Sequence, residues 1–186
     1  MTTSAVSLKN VFLIGPMGVG KSTIGRMLAS ALNKPFFDSD REIEAVTGAD
    51  IPWIFDVEGE AGFRVREQRM IDLLTQKEGI VMATGGGAIL SGVTRQNLRS
   101  RGIVVYLKAS IAQQFERTSK DRHRPLLQTA DPQSRIRELM KIREPLYIET
   151  ACITVDTSRR GPRTVVNEIV RRLQEMEDQS VPHESE

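Results

Sequence analysis

Apolar residues along the chain gather in five short runs: Val11-Phe12-Leu13-Ile14, Pro35-Phe36-Phe37, Ile80-Val81-Met82, residues 103–107 and Ile153-Thr154-Val155. Runs this short and this continuous read as strands buried on both faces, and the stretches between them, such as 24–32, are amphipathic with a helical period. The alternation predicts a parallel sheet with crossover helices. Helix starts are marked too. Ser39 stands three residues before Glu42, the spacing of a capping box, Ser110 precedes the apolar stretch 111–117, and Asp131-Pro132 puts a capping side chain before a first-turn proline.

Two segments, 50–62 and 118–130, lack a clean period and read as mobile flaps. Trp53 and Phe55 fall in the first, between Gly48 and Gly59, where either a hinged substrate-binding subdomain or a small satellite core would suit them. Both ends of the chain read as solvated tails. The expected organisation is a flexible N-terminal tail over 1–8, one domain over 9–176, and an acidic tail over 177–186.

Size agrees with a single domain, since 186 residues bury one substantial core. The charge is nearly balanced, with 26 basic against 24 acidic residues, so no global field points to nucleic acid or a membrane surface. Arginine nevertheless far outnumbers lysine, which suits a partner bearing phosphate or carboxylate. The lone Cys152 excludes an internal disulfide and reads as a small buried residue at a strand start. No stretch approaches about 18 apolar residues and no basic region leads into an apolar run, so a soluble, cytoplasmic protein is expected.

The chemistry is set by Gly15-Pro16-Met17-Gly18-Val19-Gly20-Lys21-Ser22, a full G-x-x-x-x-G-K-[ST] pattern between a predicted strand and a predicted helix. Glycines let backbone amides wrap phosphates, and the helix start aims its positive dipole end at the same anion. Lys21 would bridge the β- and γ-phosphates of ATP while the Ser22 hydroxyl ligates Mg2+. Gly18, Val19, Gly20 and Thr23 complete that nucleotide set. No Asn-Lys-x-Asp signature for guanine is present, and a chain this short with balanced charge argues against a translocase. After the second strand, Asp38-Ser39-Asp40 places two carboxylates at the strand's carboxyl end, where open α/β sheets bind ligands. One of them can orient the metal's water shell and the other an acceptor hydroxyl; helix capping is the alternative reading.

The P-loop, Asp38-Ser39-Asp40, Gly62-Phe63-Arg64 with Glu67, Gly85-Gly86-Gly87, Arg124-Pro125-Leu126-Leu127 and Arg143 within Arg143-Glu144-Pro145-Leu146-Tyr147 stand in the order found in shikimate kinases. The chain resembles that family over roughly 9–173. The resemblance implies a P-loop NTPase fold of the nucleoside-monophosphate-kinase type, a five-stranded parallel sheet flanked by helices, with a substrate-binding flap near 39–66 and a lid near 118–130. It also implies a monomer acting on ATP and shikimate with Mg2+, and with neither nucleic acid nor membrane as partner. In that picture Arg64 and Arg143 grip the shikimate carboxylate, Asp40 accepts from its hydroxyls and takes a proton, and Gly85, Gly86 and Gly87 admit the ring. Asp38 serves the metal in place of a carboxylate after the third strand. Lys21 and Arg124 act on the transferring phosphoryl group, and Arg117 and Pro162 enclose the adenine with Arg160 nearby. The bland alternatives are surface pairing of Arg64 with Glu67 or Gln68, of Arg143 with Glu144 or Glu138, and plain surface charge for Arg117 and Arg160. Two rival functions remain: a kinase for gluconate or nucleoside monophosphates, and a nucleotide-dependent switch or nucleic-acid-binding module.

Overall fold

The computed structural model describes residues 9–119 and 125–179. Its centre is β1 (Asn10–Ile14), every residue of which is buried. On one side of β1 lie β3 (Val81–Ala83) and then β2 (Phe36–Asp38); on the other lie β4 (Gly102–Lys108) and then β5 (Ile153–Asp156). All four pairings are parallel, with Leu13 beside Ala83 and Val105. The sheet is the one the five apolar runs predict.

Alternation along β1 divides the core. Val11 and Leu13 face a layer built with α1 (Lys21–Ala31) and α7 (Pro162–Asp178), where Leu28, Val165 and Ile169 are buried. Phe12 and Ile14 face the opposite layer, which draws Ile71 from α3 (Ile51–Thr75), Leu98 from α4 (Gly92–Arg101) and Met140 from α6 (Pro132–Thr150). The remaining helices are α2 (Ser39–Thr47) and α5 (Ile111–Thr118). Ser110 and Asp131 cap α5 and α6 as expected, accepting from Gln113 N and Ser134 N.

Several expectations need correction. Residues 51–62 belong to a helix rather than an irregular flap: α3 is capped by Asp50, whose carboxylate accepts from Trp53 N, and bends sharply at Gly59 (φ 71°, ψ 177°). The capping box at Ser39 is absent. Asp38 caps α2 instead, accepting from the amides of Asp40 and Arg41, and Ser39 is fully buried with its hydroxyl receiving Gly85 N. Cys152 is exposed, because it shares the parity of Thr154 and Asp156 on the open face of the edge strand β5. The last helix runs to Asp178, two residues into the stretch read as an acidic tail. The satellite core exists: Ile43, Ile54 and Phe63 are buried together with Phe55 packed on them, while Trp53 is exposed. Among the described residues no helix is long and apolar enough to cross a membrane.

Candidate active site

Parallel strands put their carboxyl ends together, and the segments that follow them meet at that edge of the sheet. The loop after β1 closes onto α1 through Gly20, a left-handed cap at φ 93°, and no side chain caps the first turn. The amides there face a cleft of about 270 Å³ lined by Gly18, Gly20, Lys21, Ser22, Thr23, Asp38, Asp40, Thr84, Gly85 and Gly86. Lys21 Nζ donates to the carbonyls of Gly15 and Pro16 at 2.7 Å each, which holds the ammonium over the loop. A helix start with uncapped amides beside a lysine is an oxyanion cradle.

Across that cleft the Ser22 hydroxyl donates to the Asp38 carboxylate. Asp38 thus does two things at once, capping α2 with one oxygen and meeting Ser22 with the other. A hydroxyl and a carboxylate side by side at the rim of a phosphate-sized cleft are hard oxygen donors of the kind Mg2+ takes, and they leave room for water and phosphate oxygens. The donor set therefore fits the metal.

Asp40, Gly85 and Gly86 lie on the boundary between this cleft and a second cavity, which is lined further by Met17, Phe55, Phe63, Arg64, Glu67, Gly87, Pro125, Leu126 and Arg143. Arg64 and Arg143 bring two guanidiniums to it, and Asp40 and Glu67 two carboxylates. Arg143 comes from the middle of α6, is only 3% exposed, and has no carboxylate within ion-pairing distance among the described residues. Burial pulls its pKa below the ordinary guanidinium value. The surface pairs imagined for it do not form: Glu144 meets Lys108 and Glu138 meets Arg135. One turn on, Tyr147 is buried against the same site, its hydroxyl donating to the Gly86 carbonyl at 2.5 Å and leaning on the Arg143 guanidinium.

Arg64 is held differently. Its Nη1 meets Glu67 at 2.7 Å and its Nη2 meets Glu60 at 3.1 Å. Burial alone would lower its pKa, but Glu67 and Glu60 outweigh burial and raise it. The pairing with Glu67 foreseen as a surface contact is therefore real but not solvated. Glu67 is 2% exposed, and burial pushes its carboxyl above the ordinary range even against the pull of Arg64. The guanidinium also lies against Gly87: a Cβ on that residue would come within 2.2 Å of Arg64 Nη2.

On the far side of the phosphate cleft a third cavity of about 220 Å³ is lined by Val19, Gly20, Thr23, Ile24, Arg117, Thr157, Arg160, Pro162 and Val165. Arg117 donates to the Gly18 carbonyl at 3.2 Å, and Arg160 is pinned by Glu168 at 2.6 Å, so neither is plain surface charge. Arg124 lies outside the described residues, as do most of the charged positions of the expected lid.

Sequence reasoning missed Glu60, Met17 and Tyr147 as contributors. Tyr147 carried a signal in its i, i+4 spacing from Arg143 on one helix, and Met17 stood inside the P-loop pattern itself. Glu60 reaches Arg64 by the same spacing, but across no recognised motif.

The family model described as shikimate kinase matches residues 17–174. A shikimate kinase of Pseudomonas savastanoi pv. phaseolicola is 59% identical over 91% of this chain and 98% of its own length. One of Chromohalobacter salexigens is 56% identical over 92% and 95%. Among solved structures, shikimate kinase from Acinetobacter baumannii in complex with shikimate matches with a TM-score of 0.89 at 48% identity, covering 91% of this chain and 94% of that one. With the P-loop cleft, the cavity lined by Arg64 and Arg143 and these matches in agreement, the chain belongs to the shikimate kinase family.

Proposed function

We propose that this chain transfers the γ-phosphoryl group of ATP to the 3-hydroxyl of shikimate, giving shikimate 3-phosphate and ADP on the route to chorismate and the aromatic amino acids. The observation that carries the acceptor assignment is Arg143. A buried guanidinium without a carboxylate partner costs several kcal/mol unless an anion arrives, so the cavity is built for a ligand bearing one. Shikimate supplies a ring carboxylate at one end and hydroxyls at the other, and the A. baumannii relative was solved with shikimate bound.

In this reading the three cavities hold adenine, phosphates and acceptor in line. Arg117 and Pro162 enclose the adenine, with Arg160 beside them. The amides of Gly18, Val19 and Gly20 with Lys21, Ser22 and Thr23 cradle the phosphates. Arg143 and Arg64 hold the shikimate carboxylate, and Gly85, Gly86 and Gly87 lie close to the ring. That leaves the reacting hydroxyl at Asp40, the residue shared by the acceptor and phosphate cavities. Asp40 accepts its proton as the bond to phosphorus forms. Charge on the phosphoryl oxygens is met by Lys21 and, as the family pattern implies, by Arg124. Ser22 and Asp38 would hold Mg2+, which when bound neutralises phosphate charge. One chain lines all three cavities, which supports a monomer as the working unit.

The test is ADP release with shikimate, gluconate and nucleoside monophosphates offered in parallel with Mg2+. Release that depends on shikimate, and that chelation of divalent metal abolishes, is expected. Turnover with gluconate or a nucleotide but not shikimate would overturn the assignment.

A further inference from the structure

Arg64 has two carboxylate partners of unlike character. Glu67 is buried and meets Nη1 at 2.7 Å from the same rigid arm of α3. Glu60 meets Nη2 at 3.1 Å with its side chain 47% exposed, and it is the first residue after the Gly59 bend. The guanidinium is already fixed without Glu60, since Glu67 holds one edge and Gly87 leaves room for nothing but its flat face. Glu60 therefore adds little to the orientation of Arg64. It does add a negative charge at the rim of the cavity that must accept a carboxylate, and its field reaches Arg143 as well as Arg64.

We propose that Glu60 is a specificity-determining residue whose carboxylate competes with the acceptor's carboxylate for Arg64, setting how tightly, and how selectively, an anionic acceptor is held. The inference rests on the shikimate reading above. Glu60 has somewhere to go: on the outer side of Arg64 a groove of about 700 Å³ is lined by Glu60 itself, Ala61, Gln68, Arg69 and Leu90. A carboxylate swinging off Arg64 into that groove stays solvated, so displacement is inexpensive. The Gly59 bend is clasped separately by Glu58 and Arg66, at 2.6 and 2.8 Å, so freeing Glu60 leaves the bend held.

The competition has a signature that a merely structural role would lack. An exposed ion pair of this kind contributes little, and removing its carboxylate should tighten an anionic acceptor by about two- to fivefold. A neutral acceptor should gain nothing.

The experiment is isothermal titration and steady-state kinetics on the full chain as wild type and Glu60→Gln. The ligands are shikimate, an analogue with a hydroxymethyl group in place of the carboxylate, and ATP. Tighter shikimate binding in Glu60→Gln, with unchanged affinity for the neutral analogue and for ATP, is the expected result. Unchanged or weaker shikimate binding would overturn the proposal, as would an equal gain for both acceptors, which would assign the effect to the helix rather than to the guanidinium. Wild-type turnover separates the two levels: if the wild type fails to phosphorylate shikimate the functional reading itself falls, whereas a working wild type with an unresponsive Glu60→Gln removes only the role of Glu60.

Discussion

Two single-atom differences at the acceptor cavity carry separate consequences. At Gly87 the backbone φ of −91° is open to alanine, and the nearest obstruction is the Arg64 guanidinium. A side-chain end yields more easily than backbone, so Gly87→Ala should unfold within about 1 kcal/mol of wild type while binding shikimate about tenfold or more weakly, ATP binding being unchanged. Urea denaturation beside titration would check both halves; retained shikimate affinity would mean that Arg64 does not act from its present seat. At Asp40 the loss of one negative charge in Asp40→Asn should lower kcat by about 10²- to 10⁴-fold with little effect on ATP affinity. A matching loss of ATP binding would move Asp40 to the metal side of the site. At this scale the sequence was most legible where residue type and motif coincide, as in Lys21 and Ser22. It was least legible where one residue has two jobs: Asp38 both caps α2 and meets Ser22, so neither capping nor metal binding alone described it.

Among the elements, α3 is where periodicity misled. Its first arm buries Ile54 in the satellite core and its second buries Ile71 and Leu74 under the sheet, with the bend at Gly59 changing the phase between them. Two short faces joined out of phase look aperiodic to a window that spans both. The strands, by contrast, were readable because each is a short run buried on both faces between punctuated helices. The bend makes a prediction of its own. Gly59 holds φ 71° and ψ 177°, a conformation nearly closed to other residues, and a Cβ there would meet nothing within 4 Å. Gly59→Ala should therefore cost about 1–3 kcal/mol through the backbone alone, read as a lower urea midpoint. Stability equal to wild type would show that α3 straightens freely.

For the molecule as a whole, the phosphate cleft and the acceptor cavity share Asp40, and the two carry different kinds of cation, a lysine in the first and arginines in the second. If Lys21 serves developing phosphoryl charge as proposed, Lys21→Ala should abolish measurable transfer in a protein whose unfolding is unaltered; near-normal turnover would remove the P-loop from the mechanism. Arg143 is proposed to serve a charge the acceptor already carries, and that difference is open to measurement. The most direct test compares kcat/KM for shikimate and for its hydroxymethyl analogue in wild type and Arg143→Ala. Loss of a charge-assisted contact at a buried site costs about 2–5 kcal/mol, so Arg143→Ala should lower the value for shikimate by about one to three orders of magnitude. The analogue should start low in wild type and fall little further in Arg143→Ala, because the missing carboxylate and the missing arginine remove the same interaction. Losses that add in full would contradict the account, since Arg143 would then be holding something other than the acceptor's carboxylate.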